Sequence, residues 1–321
     1  MLKLLRVGIS GLLCMVFAVP LAIIAKSRDI RDEPIVVLVL NMLATALLFS
    51  SSLAIVSVSD LLTEVHPLLC SVLISLGAGA LSGFKLSALF LAVEQFVAVV
   101  FPLRSFALIS RHLKAMVALT WLLLVGNATF GTVCYLLGLE TVAEFNRRVF
   151  GINNHAKQCQ WDTQTNIFML YFEICMLLLY ISTSILLIYA AVQGLKHERR
   201  ISRENNNDNE QQFLIRFKSF KRIVKVLLVV VFIDIIGACF RFGSRWFVQS
   251  PLFTIIHYLR ILFIIIECWT YGFSHMTTRK AIRSFFGFHE NQVHPEQRRE
   301  HELPARQSQA VPDEEPGEEL H

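Results

Sequence analysis

At 321 residues with 54 % hydrophobic side chains, the chain is more apolar than ordinary soluble domains, where about 45–50 % is usual. It reads as an integral membrane protein. The net charge of +5 sits in loops and segment ends, so it argues for orientation in a bilayer and against nucleic-acid binding. No metal-ligand spacing, nucleophile motif or phosphate loop appears, so neither an enzyme nor a cofactor is expected.

Seven apolar segments follow in order, at 4–25, 34–58, 67–101, 113–138, 165–195, 219–248 and 252–275. Each is near or above the ~20 residues a helix needs to cross a bilayer. Backbone polar groups in lipid must be satisfied within the segment, and the alternation of a membrane β-barrel is absent, so helices are predicted. Met1 to Arg6 is too short for a cleavable leader, which makes the first segment a retained anchor. Basic residues crowd one side: Lys26, Arg28, Arg31, Arg104, Arg111, Lys114, the cluster from Lys196 to Arg222, and Arg279, Lys280 and Arg283. The positive-inside rule then places the N-terminus outside and the C-terminus inside.

Segment 1 carries Pro20, and segment 2 begins at Pro34 and contains Asn41. Segment 3 opens with Cys70, holds Lys85 near its middle and ends at Glu94-Gln95-Phe96. A short basic loop is predicted from Arg104 to Lys114, before segment 4 with Trp121. Asn127-Ala-Thr129 matches a glycosylation sequon but lies at membrane depth. The stretch from Glu140 to Asn166 forms the longest outer loop and contains Cys159; the polar stretch HERRISRENNNDNEQQ is predicted to be a mobile inner loop. After segment 7, residues 278–286 place Ile282, Phe285 and Phe286 opposite Arg279, Lys280 and Arg283, as in a helix lying on the inner surface. The predicted division is therefore a seven-helix domain over 1–287, including that surface helix, and a disordered acidic cytoplasmic tail over 288–321.

Lys85 is the most demanding residue, because a charge at mid-membrane costs at least about 2.5–3.5 kcal/mol and faces a partner or water. Asp234 and Glu267 are the acids at similar depth. Lys85 is expected to pair with one or both, either as a structural salt bridge or as part of a switch.

Seven helices, a Cys opening the third, a Trp in the fourth and an amphipathic helix after the seventh together resemble the rhodopsin-like (class A) G-protein-coupled receptors. Cys70 precedes Glu94 by the interval that separates the family's Cys from its acidic-Arg-Tyr triplet, and Val97 to Leu103 continues like the family's run into the second inner loop. Asn41 resembles the helix 2 motif, Phe232 the helix 6 aromatic, and Tyr271 followed by Phe273 the end of helix 7. The departures are specific. The family's helix 3 Arg is Gln95, its helix 2 Asp is Ala46, its helix 7 Asn-Pro-x-x-Tyr is Glu267 to Tyr271, and its helix 6 Cys-Trp-x-Pro region is Ile235 to Ala238.

The resemblance implies a Cys70–Cys159 disulfide; Cys14, Cys134, Cys175, Cys239 and Cys268 fall within apolar segments and are expected to be small buried hydrophobes. It implies an inner coupling region around Glu94, Gln95, Tyr189 and Tyr271. By the family's correspondence Glu267 stands where the helix 7 Asn would be, so the central carboxylate has moved from helix 2 to helix 7. Glu173, Arg241, His257 and Arg260 fall on the outer halves of helices 5, 6 and 7. They are candidates for a pocket suited to an anionic ligand, or else Arg241 and Arg245 snorkel to the outer interface and Glu173 neutralises Arg260. Gly77 stands where amine receptors place an Asp, and segment 7 has no lysine for a retinal Schiff base.

The implied function is a plasma-membrane receptor for an unknown extracellular ligand, with heterotrimeric G protein and arrestin as partners inside. The acidic run Asp313, Glu314, Glu315, Glu318 and Glu319 would stand in for phosphates in the arrestin contact. Gln95 keeps open a decoy or heteromer subunit that does not signal. An ion or proton transporter is the less favoured reading, since no repeat relates the two halves.

Overall fold

The computed structural model describes residues 2–27, 33–62, 66–101, 104–151, 159, 161–204, 221, 224–239 and 251–274. Within these, the side chains of 2, 3, 5, 62, 150, 162, 197, 200–204, 251–258, 260 and 272–274 are not described. The expected surface helix 278–286 and tail 288–321 lie outside the described residues.

The described backbone is helical apart from connecting turns and one isolated bridge between Thr141 and Thr165. The helices are α1 (Leu2–Lys26), α2 (Pro34–Leu62), α3 (Pro67–Val100), α4 (Ser105–Leu136), α5 (Val142–Phe150), α6 (Asn166–Glu204), α7 (224–239) and α8 (Pro251–Ser274). Five stretches are long and apolar enough to cross a membrane: Arg6–Lys26, Pro34–Leu61, Pro67–Val100, Ser105–Leu136 and Asn166–Lys196; α8 contributes the shorter apolar run Ile261–Tyr271.

The sequence sets several ends. Pro34 and Pro67 begin α2 and α3, where a missing N–H costs nothing. The His66 ring accepts a hydrogen bond from the Leu68 amide at 3.3 Å. Gly138 takes φ 67° just after α4, a conformation open to a residue without Cβ.

Two stretches read as loops are helical. α4 starts at Ser105, so most of Arg104 to Lys114 is helix, and α6 runs on through HERRISRE to Glu204. The first carries Ala, Leu, Arg and Lys and the second Glu and Arg, good helix formers that can continue a helix into water. The loop after α4 also contains α5. Its start has a reciprocal capping box in which Thr141 Oγ1 accepts from the Glu144 amide at 3.2 Å and Glu144 Oε2 accepts from the Thr141 amide at 2.9 Å.

α3 is the axis of the bundle, packed against α2, α4 and α6. Its run Gly77-Ala78-Gly79-Ala80-Leu81-Ser82-Gly83 is buried throughout. In lipid, helices associate through close packing and polar contacts, not through apolar burial, so small residues are what allow approach. A Cβ on Gly77 would lie 2.8 Å from Ser52 Oγ, and one on Gly79 would run into the Leu124 carbonyl oxygen. Across the contact, a Cβ on Gly131 would lie 2.5 Å from Ser75 Oγ.

Hydrogen bonds fix the register of these helices. Asn41 Nδ2 donates to Ser87 Oγ at 2.9 Å while Asn41 Oδ1 accepts from Trp121 Nε1 at 3.0 Å, tying α2 to both α3 and α4. Asn127 Nδ2 donates to Ser82 Oγ at 2.7 Å; the sequon Asn is thus a buried tie between α4 and α3. Phe232 is 63 % exposed and faces out of the bundle, and Cys239 is exposed as well. Cys239 corrects the expectation of a buried thiol, as do Cys14 and Cys175, which are half-buried, while Cys134 and Cys268 are buried; on α7 the inward face is taken by Leu227, Val231, Asp234 and Ala238.

Candidate functional site

Three groups of residues lie along α3, at its Cys70 end, its middle and its Gln95 end. At the middle, Lys85 Nζ donates to Asp234 Oδ2 of α7 at 2.5 Å and also to Glu267 Oε2 of α8. The three residues are 3 %, 1 % and 2 % exposed. The ammonium also sits over the rings of Phe84 and Tyr180, each centroid at 5.2 Å. Cation–π contact of this kind is worth ~2 kcal/mol or more when desolvated. Lys85 therefore joins α3 to α7, α8 and, through Tyr180, α6.

At the Cys70 end, the disulfide to Cys159 holds the α4–α6 connection against α3, with Cα atoms 5.6 Å apart. Sequence reasoning missed the contacts around it. The Cys159 amide donates to Asp60 Oδ1 at 3.0 Å, and Asp60 Oδ2 accepts from Arg6 Nη1 at 3.2 Å, which brings in α2 and α1. Gln164 Nε2 donates to the Ser71 carbonyl at 2.6 Å and to Ser75 Oγ at 3.2 Å. Trp161 stacks on Phe172 of α6, with centroids 5.9 Å apart and planes at 23°. Beneath Trp161 the space between Arg6, Phe49, Ser52, Ile74 and Gly77 closes to a void of about 10 Å³. The signals available were Arg6 and Asp60, opposite charges at the edges of neighbouring apolar segments.

Of the pocket candidates, Glu173 is buried on α6. His257 and Arg260 belong to α8, but their side chains, like the whole of Arg241, lie outside the described residues.

At the other end of α3, Glu94 and Gln95 are half-buried. Gln95 Oε1 is shielded from solvent and accepts no hydrogen bond among the described residues. Phe96 lies 5.6 Å from the half-exposed Tyr189 ring, and Tyr271 is buried in the core near the end of α8. Beyond them Lys221 pairs with Glu198 of α6. A groove of about 450 Å³ on the outside of α4 and α6, lined by Leu119, Leu122, Asn127, Phe130 and Tyr171, faces away from all three groups.

No metal-binding cluster of His, Cys, Asp or Glu occurs among the described residues. The chemistry available at the middle is charge pairing. A search of curated proteins finds no match to this chain. Residues 18–274, most of its length, match the family described as 7 transmembrane receptor (rhodopsin family), and the protein is a multi-pass membrane protein belonging to that family of receptors.

Proposed function

We propose that this chain is a plasma-membrane receptor with its N-terminus outside, seven spanning helices and an inner surface that engages a heterotrimeric G protein through altered switch residues. The observation that carries this reading is α6. At 39 residues it is about 58 Å long, against roughly 30 Å of hydrocarbon. With its disulfide end outside, it projects as a rigid basic extension bearing Lys196 and Arg199 on the cytoplasmic side. An extension of that kind suits an acidic protein surface. The receptor family as a whole acts between extracellular ligands and G proteins, which supports the same reading. Arg241, His257 and Arg260 favour an anionic ligand from outside, and the acidic tail is a proposed arrestin contact.

Gln95 favours a second reading, a receptor scaffold that does not signal. Glutamine offers no charge, so the charge-assisted contacts of ~1.5–3 kcal/mol that an arginine makes are unavailable, and its amide oxygen is buried without a donor among the described residues. Basal G-protein activation in membranes, measured for the natural chain, for Gln95→Arg and for Lys196→Glu/Arg199→Glu, separates the two. Activity that the charge reversal abolishes supports coupling through α6. Activity only in Gln95→Arg means that the docking surface is intact and Gln95 silences it. Silence in all three would sink the coupling reading.

A further inference from the structure

The end of α4 away from the disulfide carries a basic face and, one to two turns further on, a groove. From Gln95 to Leu139 the chain has no Asp or Glu. Arg111, His112 and Lys114 are exposed, and none makes an ion pair among the described residues. In the orientation proposed above, Arg111 and Lys114 lie roughly 33–38 Å along the axis from Leu136, just past the roughly 30 Å of hydrocarbon and so at headgroup depth. Leu119, Leu122 and Leu123 follow Arg111 and His112 by 7, 8 and 11 residues, which places them on the same face of the helix. They line the groove of about 450 Å³ on the outside of α4 and α6. From Leu119 to Phe130 it spans about 16 Å, the depth of one leaflet. Gly126 lies in it, one turn from both Leu122 and Phe130, and no atom stands within 4 Å of where its Cβ would be. The Phe130 and Tyr171 rings, edge to face with centroids 5.0 Å apart, mark its far end.

We propose that this face binds one anionic phospholipid, its phosphate held by Arg111 and Lys114 and one acyl chain laid in the groove. Residues three apart are neighbours on a helix surface, so a guanidinium and an ammonium reach one phosphate together through charge-assisted hydrogen bonds. Their long stems carry the charges from the edge of the hydrocarbon to the headgroup. Two cations attract a lipid of net negative charge over one whose choline cancels its phosphate. Apart from Asn127, whose amide donates to Ser82, and the Tyr171 hydroxyl, the groove is lined by carbon, which suits a hydrocarbon chain. A second copy of this chain fits less well, since a two-fold contact across this face would bring the same cations together at the same depth.

The site rests on the proposed orientation only for the leaflet it faces; binding in detergent depends neither on that nor on coupling to a G protein. Native mass spectrometry of the purified full chain, titrated with phosphatidylserine or phosphatidylcholine, is the test. The natural chain should retain one phosphatidylserine about tenfold more tightly than phosphatidylcholine. Arg111→Gln/Lys114→Gln should remove that preference, a loss of about tenfold for two charges, and leave phosphatidylcholine unchanged. Gly126→Phe, which puts a ring into the groove, should weaken both lipids. Lys26→Gln, at the exposed end of α1 on the same side of the membrane, should change neither. Equal retention of the two lipids by the natural chain, or a loss in Lys26→Gln as large as in the double variant, means diffuse attraction to basic residues and overturns the proposal. Phosphatidylserine binding that Gly126→Phe leaves intact, or a dimer that forms at the expense of the lipid, overturns it as well. If the variants do not fold, the natural chain decides: phosphatidylserine with a diazirine on its acyl chain must crosslink to α4 between 115 and 130 or to α6 near Tyr171, and crosslinks confined to other helices overturn the site.

Discussion

Lys85 is the residue on which most of the interior depends, because it is held from three directions. Its ammonium faces a carboxyl from α7, a carboxyl from α8 and the Tyr180 ring of α6. Breaking a buried pair by removing one partner costs about 3–5 kcal/mol, since the remaining charge is left uncompensated. Lys85→Met should therefore lower the melting temperature and the surface expression sharply. Adding Glu267→Gln removes one of the stranded carboxyls, and the double variant should recover part of the loss, with a coupling of roughly 0.5–3 kcal/mol. Independent effects in a thermal-shift cycle would mean that the two side chains do not act as a pair. This site was legible in the sequence because a lone lysine among apolar residues has to find a partner, and few acids lie at its depth. The Tyr180 contact was not legible, since one aromatic in an apolar helix carries no mark of the cation above it.

Among the elements, α3 sets how closely its neighbours approach, and two of its glycines differ in what they allow. A Cβ at Gly79 would meet backbone, the Leu124 carbonyl of α4, whereas a Cβ at Gly83 would find ordinary contact with Thr45 and Leu124 side chains at 3.4–3.5 Å. Backbone cannot swing aside as a side chain can. Gly79→Ala should therefore destabilise the protein by about 1–3 kcal/mol, as overpacking does. Gly83→Ala should be neutral or slightly stabilising, because alanine is the better helix former by ~1 kcal/mol. Thermal unfolding of the two variants side by side checks the contrast. α5 offers a second test outside the membrane. Hydrogen bonds from the Thr141 amide and hydroxyl hold the Glu144 carboxyl below its ordinary range. A depressed carboxyl contributes stability that is present above its unfolded value and is lost as pH falls. Protection factors of the amides of Val142 to Arg148, taken against the intrinsic rates, should thus be lower in acid, modestly because the group is largely in solvent, and Thr141→Ala should lower them at neutral pH by the loss of ~1 kcal/mol of capping. The capping box stood in the sequence as Thr-Val-Ala-Glu but was hidden inside a stretch read as loop. Likewise, apolar periodicity located α4 and α6, but it stops at the membrane boundary while the helices continue on polar residues.

At the scale of the molecule, the Cys70 end is fastened more broadly than a single disulfide would achieve. Cys159 is tied covalently to α3 and through its amide to Asp60, and so to Arg6 of α1. Five residues on, Gln164 inserts its amide between Ser71 and Ser75. The two cysteines were legible because the resemblance assigns them, while Gln164 is an ordinary loop residue until the loop is folded back. Removing a disulfide from a small soluble domain costs about 2–5 kcal/mol, largely through the freedom returned to the unfolded chain. Here the helices it joins are already confined by the bilayer in the unfolded reference, so Cys70→Ser/Cys159→Ser should cost nearer the lower end, about 2 kcal/mol. Gln164→Ala removes the buried hydrogen bonds to Ser71 and Ser75 and should cost about 1–3 kcal/mol by itself. Because both fastenings hold the same strip of chain, the first loss lets that strip move and weakens what the second can contribute. The combined variant should then lose less than the sum of the separate losses, and hydrogen exchange at Trp161 to Asn166 should already be fast in either variant alone. Exchange that stays slow in the cysteine variant and speeds up only with Gln164→Ala would mean that the hydrogen bonds hold the loop in place and the disulfide adds little to its order.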